Sequence, residues 1–464
     1  MQHNRRLYPA EGATPRFHLP RGTLPHPRSC ALAFLPALVV GLLAALLPTP
    51  ASPAPSPAPA MTGLHVVGNQ LLNAAGQPVR LLGVNRSGSE YACVDGWGIF
   101  DGPTDAASVQ AMLAWRINAV RLPLNETCWL GINGVNPAYS GANYQNAIAQ
   151  YVALLTSYNL AVILDLHWSA PGTQVARGQL PMPARDHAVE LWRQVAQRFG
   201  SNSAVLFDLY NEPWPDGNRN TLEAWRCWRE GGNCAGVGYV AAGMQELVGA
   251  VREAGARNPL IVSGIRYASQ LDRWLEYRPA DPLNQLVAGW HSYGDGLDCQ
   301  GWSCWESVLG GVSGQVPLVA TEIGEFDCKA SYIEQVMSWL DGRGQSYLAW
   351  TWGPFSCARD PALIVDWGGT PTQTYGQGYK EHLAKVAGGQ PTSVPTPTVA
   401  ATPTLTPLLC DINGDGRVDI FDYTLLVQNF GRVGAGNPAD CNRDGRVDIF
   451  DYTLLIQNFG RRAP

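Results

Sequence analysis

Lysine is almost missing from this chain: three lysines accompany 29 arginines among 464 residues. So uneven a ratio reads as a genomic composition bias and assigns no function. Charged residues are scarce overall, at 15% with a net charge of −6, which leaves no basic footprint for nucleic acid. No GxGxxG follows the first strand-like run, which argues against an open dinucleotide-binding sheet. No His or Cys spacing resembles a zinc site. What is plentiful is apolar: 46% of residues, enough for a large core and against wholesale disorder. Sixteen tryptophans are many for this length, and a flat amphipathic ring suits a carbohydrate face as well as ordinary packing.

Residues 1–60 read as a leader outside any fold. Arg5, Arg6, Arg16, Arg21 and Arg28 precede the apolar "CALAFLPALVVGLLAALL" from Cys30 to Leu47, and a Pro/Ala-rich stretch follows. Pro36 and the small residues near Ala51 favour a cleaved signal segment, with an uncleaved anchor as the alternative. Either way the bulk of the chain is expected outside the cell or on its surface. Setting Cys30 aside, ten cysteines remain, an even number suited to an oxidising compartment. Cys227 with Cys234, Cys299 with Cys304 and Cys328 with Cys357 are local candidates for pairing; the connectivity stays open.

Eight apolar runs lie between Val79 and Trp352, among them "NAVRLPL", "LAVILDLHW", "VLFDLYNEP", "LVAGWHSY" and "PLVATEIGE". Amphipathic segments at 106–116, 143–158, 184–199, 239–256, 330–341 and 374–387 separate most of them. Continuous apolar strands alternating with helices predict parallel strands buried on both faces. Eight such units across 61–388 predict a (β/α)8 barrel. The composition then shifts to a Pro/Thr-rich linker, 389–409, and a last module, 410–464.

In such a barrel, reactive groups gather where strands end at the C-terminal face. Those positions hold Arg121, His167, Asn211, Glu212, His291, Tyr293, Glu322 and Trp350. Glu212 closes the fourth strand and Glu322 the seventh, so the two can face one cleft. Paired carboxylates beside indoles suggest glycoside hydrolysis, one carboxyl protonating the leaving oxygen while the other attacks or activates water. Glu212, flanked by Pro213 and Trp214, is the better candidate for the acid. Glu325 competes with Glu322 for the second role but lies past the strand end. Trp115, Trp192 and Trp339 belong on outer helices, whereas half of Trp97, Trp129, Trp168, Trp214, Trp290 and Trp352 are expected to touch sugar. No cofactor is expected for catalysis.

The last module is an internal repeat, "DINGDGRVDIFDYTLLVQNFG" from Asp411 and "DCNRDGRVDIFDYTLLIQNFG" from Asp440. Oxygen-bearing residues fall at loop positions 1, 3, 5, 9 and 12 with glycine at 6, the spacing that wraps oxygens around calcium. Two ions are expected. The first loop offers Asp411, Asn413, Asp415 and Asp422 with the carbonyl of Arg417. The second offers Asp440, Asn442, Asp444 and Asp451 with the carbonyl of Arg446. Asp419 and Asp448, at position 9, are expected to act through water.

The ordered set "NAVRLP", "DLHW", "YNEP", "HSY", "TEIGEF" and "AWTW" resembles family 5 of the glycoside hydrolases across about 64–388. The resemblance implies that Glu212 is the acid/base and Glu322 the nucleophile of a retaining mechanism. It implies that Asn211 binds the sugar 2-hydroxyl, that Arg121 and Tyr293 support Glu322, that His167 and His291 line the cleavage subsite, and that Trp350 is a sugar platform. Trp168 stands where many members carry His or Asn, a change at the rim. The tail, 410–460, resembles a dockerin, which implies a cohesin scaffold as partner. It departs at loop positions 10 and 11, where Ile420–Phe421 and Ile449–Phe450 replace small hydroxyl residues. The expected function is a secreted endo-β-1,4-glucanase, monomeric in its catalytic domain, acting on cellulose or a related β-glucan. The alternatives are a β-mannanase, a xyloglucanase or another β-glycanase of the family, and, from a different class, a non-catalytic carbohydrate-binding protein.

Overall fold

The computed structural model describes residues 59–294, 299–356, 360–388, 408–414, 416–434 and 437–461. The expected leader through Ala58, the linker through Pro407, Cys357 and Asp415 lie outside the described residues.

Three short strands open the fold, β1 (His65–Val67), β2 (Gln70–Leu72) and β3 (Pro78–Val79), paired antiparallel. Four parallel strands follow: β4 (Leu82–Asn85), β5 (Ala119–Asn125), β6 (Ala161–Trp168) and β7 (Val205–Asp208). A two-stranded ribbon of β8 (Gly231–Asn233) and β9 (Val240–Ala242) interrupts the series. It resumes with β10 (Leu260–Ser263), β11 (Leu286–Tyr293), β12 (Leu318–Gly324) and β13 (Ser346–Ala349). The eight parallel strands close into a barrel, β4 pairing with both β5 and β13 and β7 with β10. The expected (β/α)8 architecture is the observed one.

Strand burial explains why the runs read as continuously apolar. Along β6, Val162, Leu164, Leu166 and Trp168 belong to the core under the surrounding helices, while Ala161 and Ile163 belong to a separate core inside the barrel. Both faces are dry, so period-two alternation is hidden in composition. The inner core also contains Leu206, Ile261, Val287, Val319 and Leu348, and Met61, Leu64, Leu71 and Val79 from the opening segment pack into it. The antiparallel sheet therefore plugs the N-terminal end of the barrel. Above this apolar plug the inward positions turn polar.

Two segments depart from expectation. The run around Val79 divides, Val79 joining the plug and Leu82–Asn85 the barrel. Of the segment 239–256, only Met244–Glu253 is helical, because Val240–Ala242 pairs with Gly231–Asn233 in a ribbon closed by the disulfide Cys227–Cys234. Gly243 is required there: a Cβ would approach Gly231 N to 2.4 Å. Cys299–Cys304 also forms, Cys328 is disulfide-bonded, and Cys93–Cys128 and Cys410–Cys441 complete the described bridges.

Candidate active site

Strand parity delivers the site. Counting inward positions upward from the plug, β5 places Arg121, β6 places Asp165 and then His167, β7 places Asp208, and β11 places His291. Each has a helix-facing neighbour in the outer core, Val120, Leu166, Phe207 and Trp290 among them. Glu322 breaks the count. Val319 is inside, Ala320 and Ile323 both face the outer core, and an odd separation cannot put two residues on one face of a regular strand. A bulge resolves it, since His291 pairs with Glu322 although Trp290 pairs with Ala320. The extra residue, Thr321, turns Glu322 into the barrel mouth.

Glu322 is held from two sides. Arg121 Nη1 donates to Oε1 at 2.7 Å and the Tyr293 hydroxyl donates to Oε2 at 2.5 Å. Glu212 Oε1 lies 2.9 Å from His291 Nδ1, which is itself 3.5 Å from Glu322 Oε2. One oxygen from each glutamate and one His291 nitrogen all fall within 4.8 Å of each other. Among the described residues this is the one cluster whose His and carboxylate atoms converge closely enough to hold a metal ion. Glu322 already accepts from Arg121 and Tyr293. Trp350, half-buried, stacks on His167 with centroids 5.6 Å apart and its Nε1 donates to Asp360 at 2.9 Å. His167, Asn211, Glu212, His291, Tyr293, Glu322 and Trp350 line one open cleft of about 330 Å³ that runs on past Arg266, Tyr267 and Phe326.

Arg121 lies beneath that cleft and is fully buried. It donates to Asp208 through Nε, to Asn85 and Glu322 through Nη1, and to Asn211 through Nη2, with Asp165 3.0 Å from Nη2. Burial works against its charge, but Asp165, Asp208 and Glu322 outweigh that and hold it above the ordinary arginine value. Burial raises Asp165 to about 7 and pushes Asp208 well up, Arg121 opposing both. Burial also lowers His167 to about 4 and His291 to about 3, so both imidazoles are neutral near pH 7. Burial and the neighbouring glutamates keep the Tyr293 phenol protonated, hence a donor.

Asp165, Asp208, Asn85 and Thr321 were not among the expected site residues. Asp165 and Asp208 carry a readable signal: each is a carboxylate inside an apolar strand, on the inward parity. Asn85 and Thr321 carry none. Of the tryptophans placed near strand ends, Trp129 and Trp352 are fully buried and are core, Trp168 is 8% exposed, and Trp97 is 50% exposed. Glu325 is also buried and accepts from Ser331 Oγ, Tyr332 N and Ile333 N, so it caps the helix Ser331–Asp341.

In the last module, helices Ile420–Asn429 and Ile449–Asn458 each follow one acidic loop. The loops are built alike. Asp422 accepts from the amides of Ile412, Asn413 and Asp419, while Asp451 accepts from those of Asn442 and Asp448. Asp411 accepts from Gly414 N and Gly416 N, and Asp440 from Asp444 N and Gly445 N. Gly416 and Gly445, at loop position 6, have φ of 82° and 89°, the left-handed turn that glycine permits. Asp422 and Asp451 are fully buried at their loops, a donor set that suits a hard cation. The halves clasp each other, Gly431 N donating to Val447 O and Gly460 N to Val418 O.

The fold and site define a closed (β/α)8 barrel with two glutamates converging at its C-terminal mouth, and comparison with known proteins gives the family. Residues 72–356 match the cellulase family, glycosyl hydrolase family 5, and residues 409–460 match the dockerin type I domain. The first match covers more than half of the chain, so this protein belongs to the cellulase family, glycosyl hydrolase family 5. It is 27% identical over 238 residues to the manganese dependent endoglucanase Eg5A of Phanerodontia chrysosporium, 48% of this chain and 55% of that protein. The chain spans between 26% and 56% of the length of the curated relatives it matches. Among solved structures, beta-glucanase SdGluc5_26A of Saccharophagus degradans in complex with cellotetraose aligns with a TM-score of 0.54 at 20% identity, covering 70% of this chain and 93% of that one. The hyperthermophilic endocellulase of Pyrococcus horikoshii aligns with a TM-score of 0.53 at 18% identity, covering 70% and 100%. At these identities the structures establish the fold.

Proposed function

We propose that this protein is a retaining endo-β-1,4-glucanase that uses Glu212 as acid/base and Glu322 as nucleophile. The observation that carries the reading is the approach of Glu212 and Glu322 to within 4.8 Å about His291. An approach this close suits direct attack by a carboxylate and is short for a water in between. Glu322, held by Arg121 and Tyr293, attacks the anomeric carbon while Glu212 protonates the glycosidic oxygen. Glu212, now ionised, takes a proton from water as that water displaces Glu322. Neutral His291 donates from Nδ1 to the ionised Glu212 and accepts from Thr321 on Nε2. Asn211 binds the 2-hydroxyl, and Trp350 with His167 forms the floor for the sugar ring. The endoglucanase names of the relatives, and the cellotetraose held by the Saccharophagus degradans structure, support β-glucan as the substrate.

The same reading gives the tail two calcium ions, held by Asp411, Asn413, Asp415, the Arg417 carbonyl and Asp422, and by Asp440, Asn442, Asp444, the Arg446 carbonyl and Asp451. Calcium held there would offset the negative charge of these carboxylates. The partner is a cohesin-type module, met by an apolar surface to which the exposed Ile449 and Phe450 contribute. A signal-bearing leader places the protein outside the cell.

The test is reducing-end release from carboxymethylcellulose, barley β-glucan, glucomannan, galactomannan, xyloglucan and xylan. Glu212→Gln and Glu322→Ala are each expected to lose about 10²–10⁴-fold on glucans, the range for removing a positioned proton-transfer group or nucleophile. Azide should restore chain cleavage by Glu322→Ala, read as a glycosyl azide of inverted anomeric configuration rather than as a new reducing end, because it enters where the carboxylate attacked. Preference for mannan or xyloglucan would keep the chemistry and change the substrate; inertness of the wild-type protein on every polymer would sink the enzyme reading in favour of a binder.

A further inference from the structure

Gln179 lies on the loop between β6 and the helix Arg185–Phe199, outside the residues that line the cleft, yet it is hydrogen-bonded to Asn211, which lines it. Arg121 Nη2 donates to Asn211 Oδ1 at 2.8 Å, Asn211 Nδ2 donates to Gln179 Oε1 at 3.0 Å, and Gln179 Nε2 donates to the Leu180 carbonyl at 3.0 Å. The direction of this relay is fixed from both ends. A guanidinium can only donate and a carbonyl can only accept, so neither amide can flip without opposing two like groups. The loop is itself pinned: Tyr210 OH donates to Leu180 O at 2.8 Å and Trp214 N to Pro181 O at 2.9 Å. Ala176 O accepts from Asn125 Nδ2, and Ala176 N donates to Thr127 Oγ1.

Asn211 is 2% exposed, and its carbonyl oxygen is turned down onto Arg121. One of its two Nδ2 hydrogens is spent on Gln179. What it offers the cleft is a single donor in a fixed direction. We infer that Gln179 is a positioning residue that aims this donor at the oxygen on C2 of the sugar being cleaved, and so sets how strongly the enzyme depends on that hydroxyl. The inference rests on the glycoside-cleaving reading of the cleft. Hydrogen bonds to the 2-hydroxyl strengthen as the oxocarbenium-like transition state forms, so the effect belongs in kcat more than in KM.

The experiment uses the full chain, wild type, Gln179→Leu and Gln179→Glu, on 2,4-dinitrophenyl β-cellobioside and its analogue lacking the 2-hydroxyl on the ring at the scissile bond. Comparing substrate ratios between proteins cancels the analogue's own reactivity. Gln179→Leu is expected to lose about tenfold in kcat on the parent with KM little changed, a loss of the size that small misplacements cause. It should equal wild type on the deoxy analogue. Gln179→Glu, which still accepts from Asn211 but has no donor for Leu180 O, should fall between wild type and Gln179→Leu on the parent and equal wild type on the deoxy analogue. Equal losses on the two substrates would make Gln179 a merely structural residue and overturn the inference while leaving the enzyme reading intact. Wild-type silence on both the cellobioside and glucan would overturn the two together.

Discussion

Arg121 shows how far one residue can organise a site. A buried guanidinium without partners would be strongly destabilising, but here one cation faces Asp165, Asp208 and Glu322 with no other described cation in contact. The excess of carboxylates explains why Asp165 and Asp208 are pushed upward: burial penalises a second and third negative charge more than a single arginine can offset. Glu126, buried at the rim, is a simpler case. It accepts from Ser169 Oγ and Ala170 N, yet burial dominates and raises it from 4.5 to about 8. Its folded-state value lies above its unfolded one. Its contribution is therefore fully present below pH 4.5 and lost as pH rises through 8. Glu126→Gln stays neutral, and its amide oxygen can still accept from Ala170 N as the protonated acid does. The expected result is a flatter dependence of Tm on pH between 4.5 and 8 than in the wild type, followed by calorimetry. Identical slopes would contradict the burial argument.

At the level of elements, the bulge in β12 shapes the candidate site more than any helix does. One extra residue moves Glu322 from the helix-facing side to the mouth, and it also brings Thr321 Oγ1 within 3.1 Å of His291 Nε2. Three residues further along, Glu325 serves an element. It gathers two orphan amides and a hydroxyl at the start of the helix Ser331–Asp341, where Ala330 supplies no side-chain cap. Glu325→Ala is expected to cost about 0.5–2 kcal/mol in urea unfolding, the usual range for a lost cap, with glucan hydrolysis retained. Loss of activity in a variant that stays folded would move the nucleophile to Glu325.

Across the whole molecule, the barrel and the last module obtain their stability by different means. The barrel has two dry cores, one inside the strands and one under the helices. Among the described residues, the last module has seven buried apolar ones, two of them the cysteines of Cys410–Cys441, around loops crowded with carboxylates. A core so small needs a staple or a metal. Chelation with EGTA is expected to abolish the helical circular-dichroism signal of the last module and its capture by a cohesin surface, with hydrolysis of soluble glucan unchanged. Retained helix signal after chelation would mean that the disulfide and core suffice without the ion.

The strand-end residues could be read from one dimension because barrel topology converts the last residue of each apolar run into a position at one rim. The calcium-type loops were equally legible, since their candidate ligands come from a single short segment at fixed spacing. The split of the run near Val79 and the ribbon at Val240–Ala242 were not, because each depends on a partner strand that local periodicity does not encode. Trp129 and Trp352 looked like rim residues in sequence and proved to be core, since a position near a strand end does not reveal which way the ring turns. Hydrophobic period and local spacing were enough to specify the eight-unit barrel, the two strand-end glutamates and the repeated acidic loops. It took the folded chain to show that a bulge turns Glu322 inward, that Asp165 and Asp208 share Arg121, and that Gln179 reaches Asn211, because register and loop packing are settled between segments far apart in the chain.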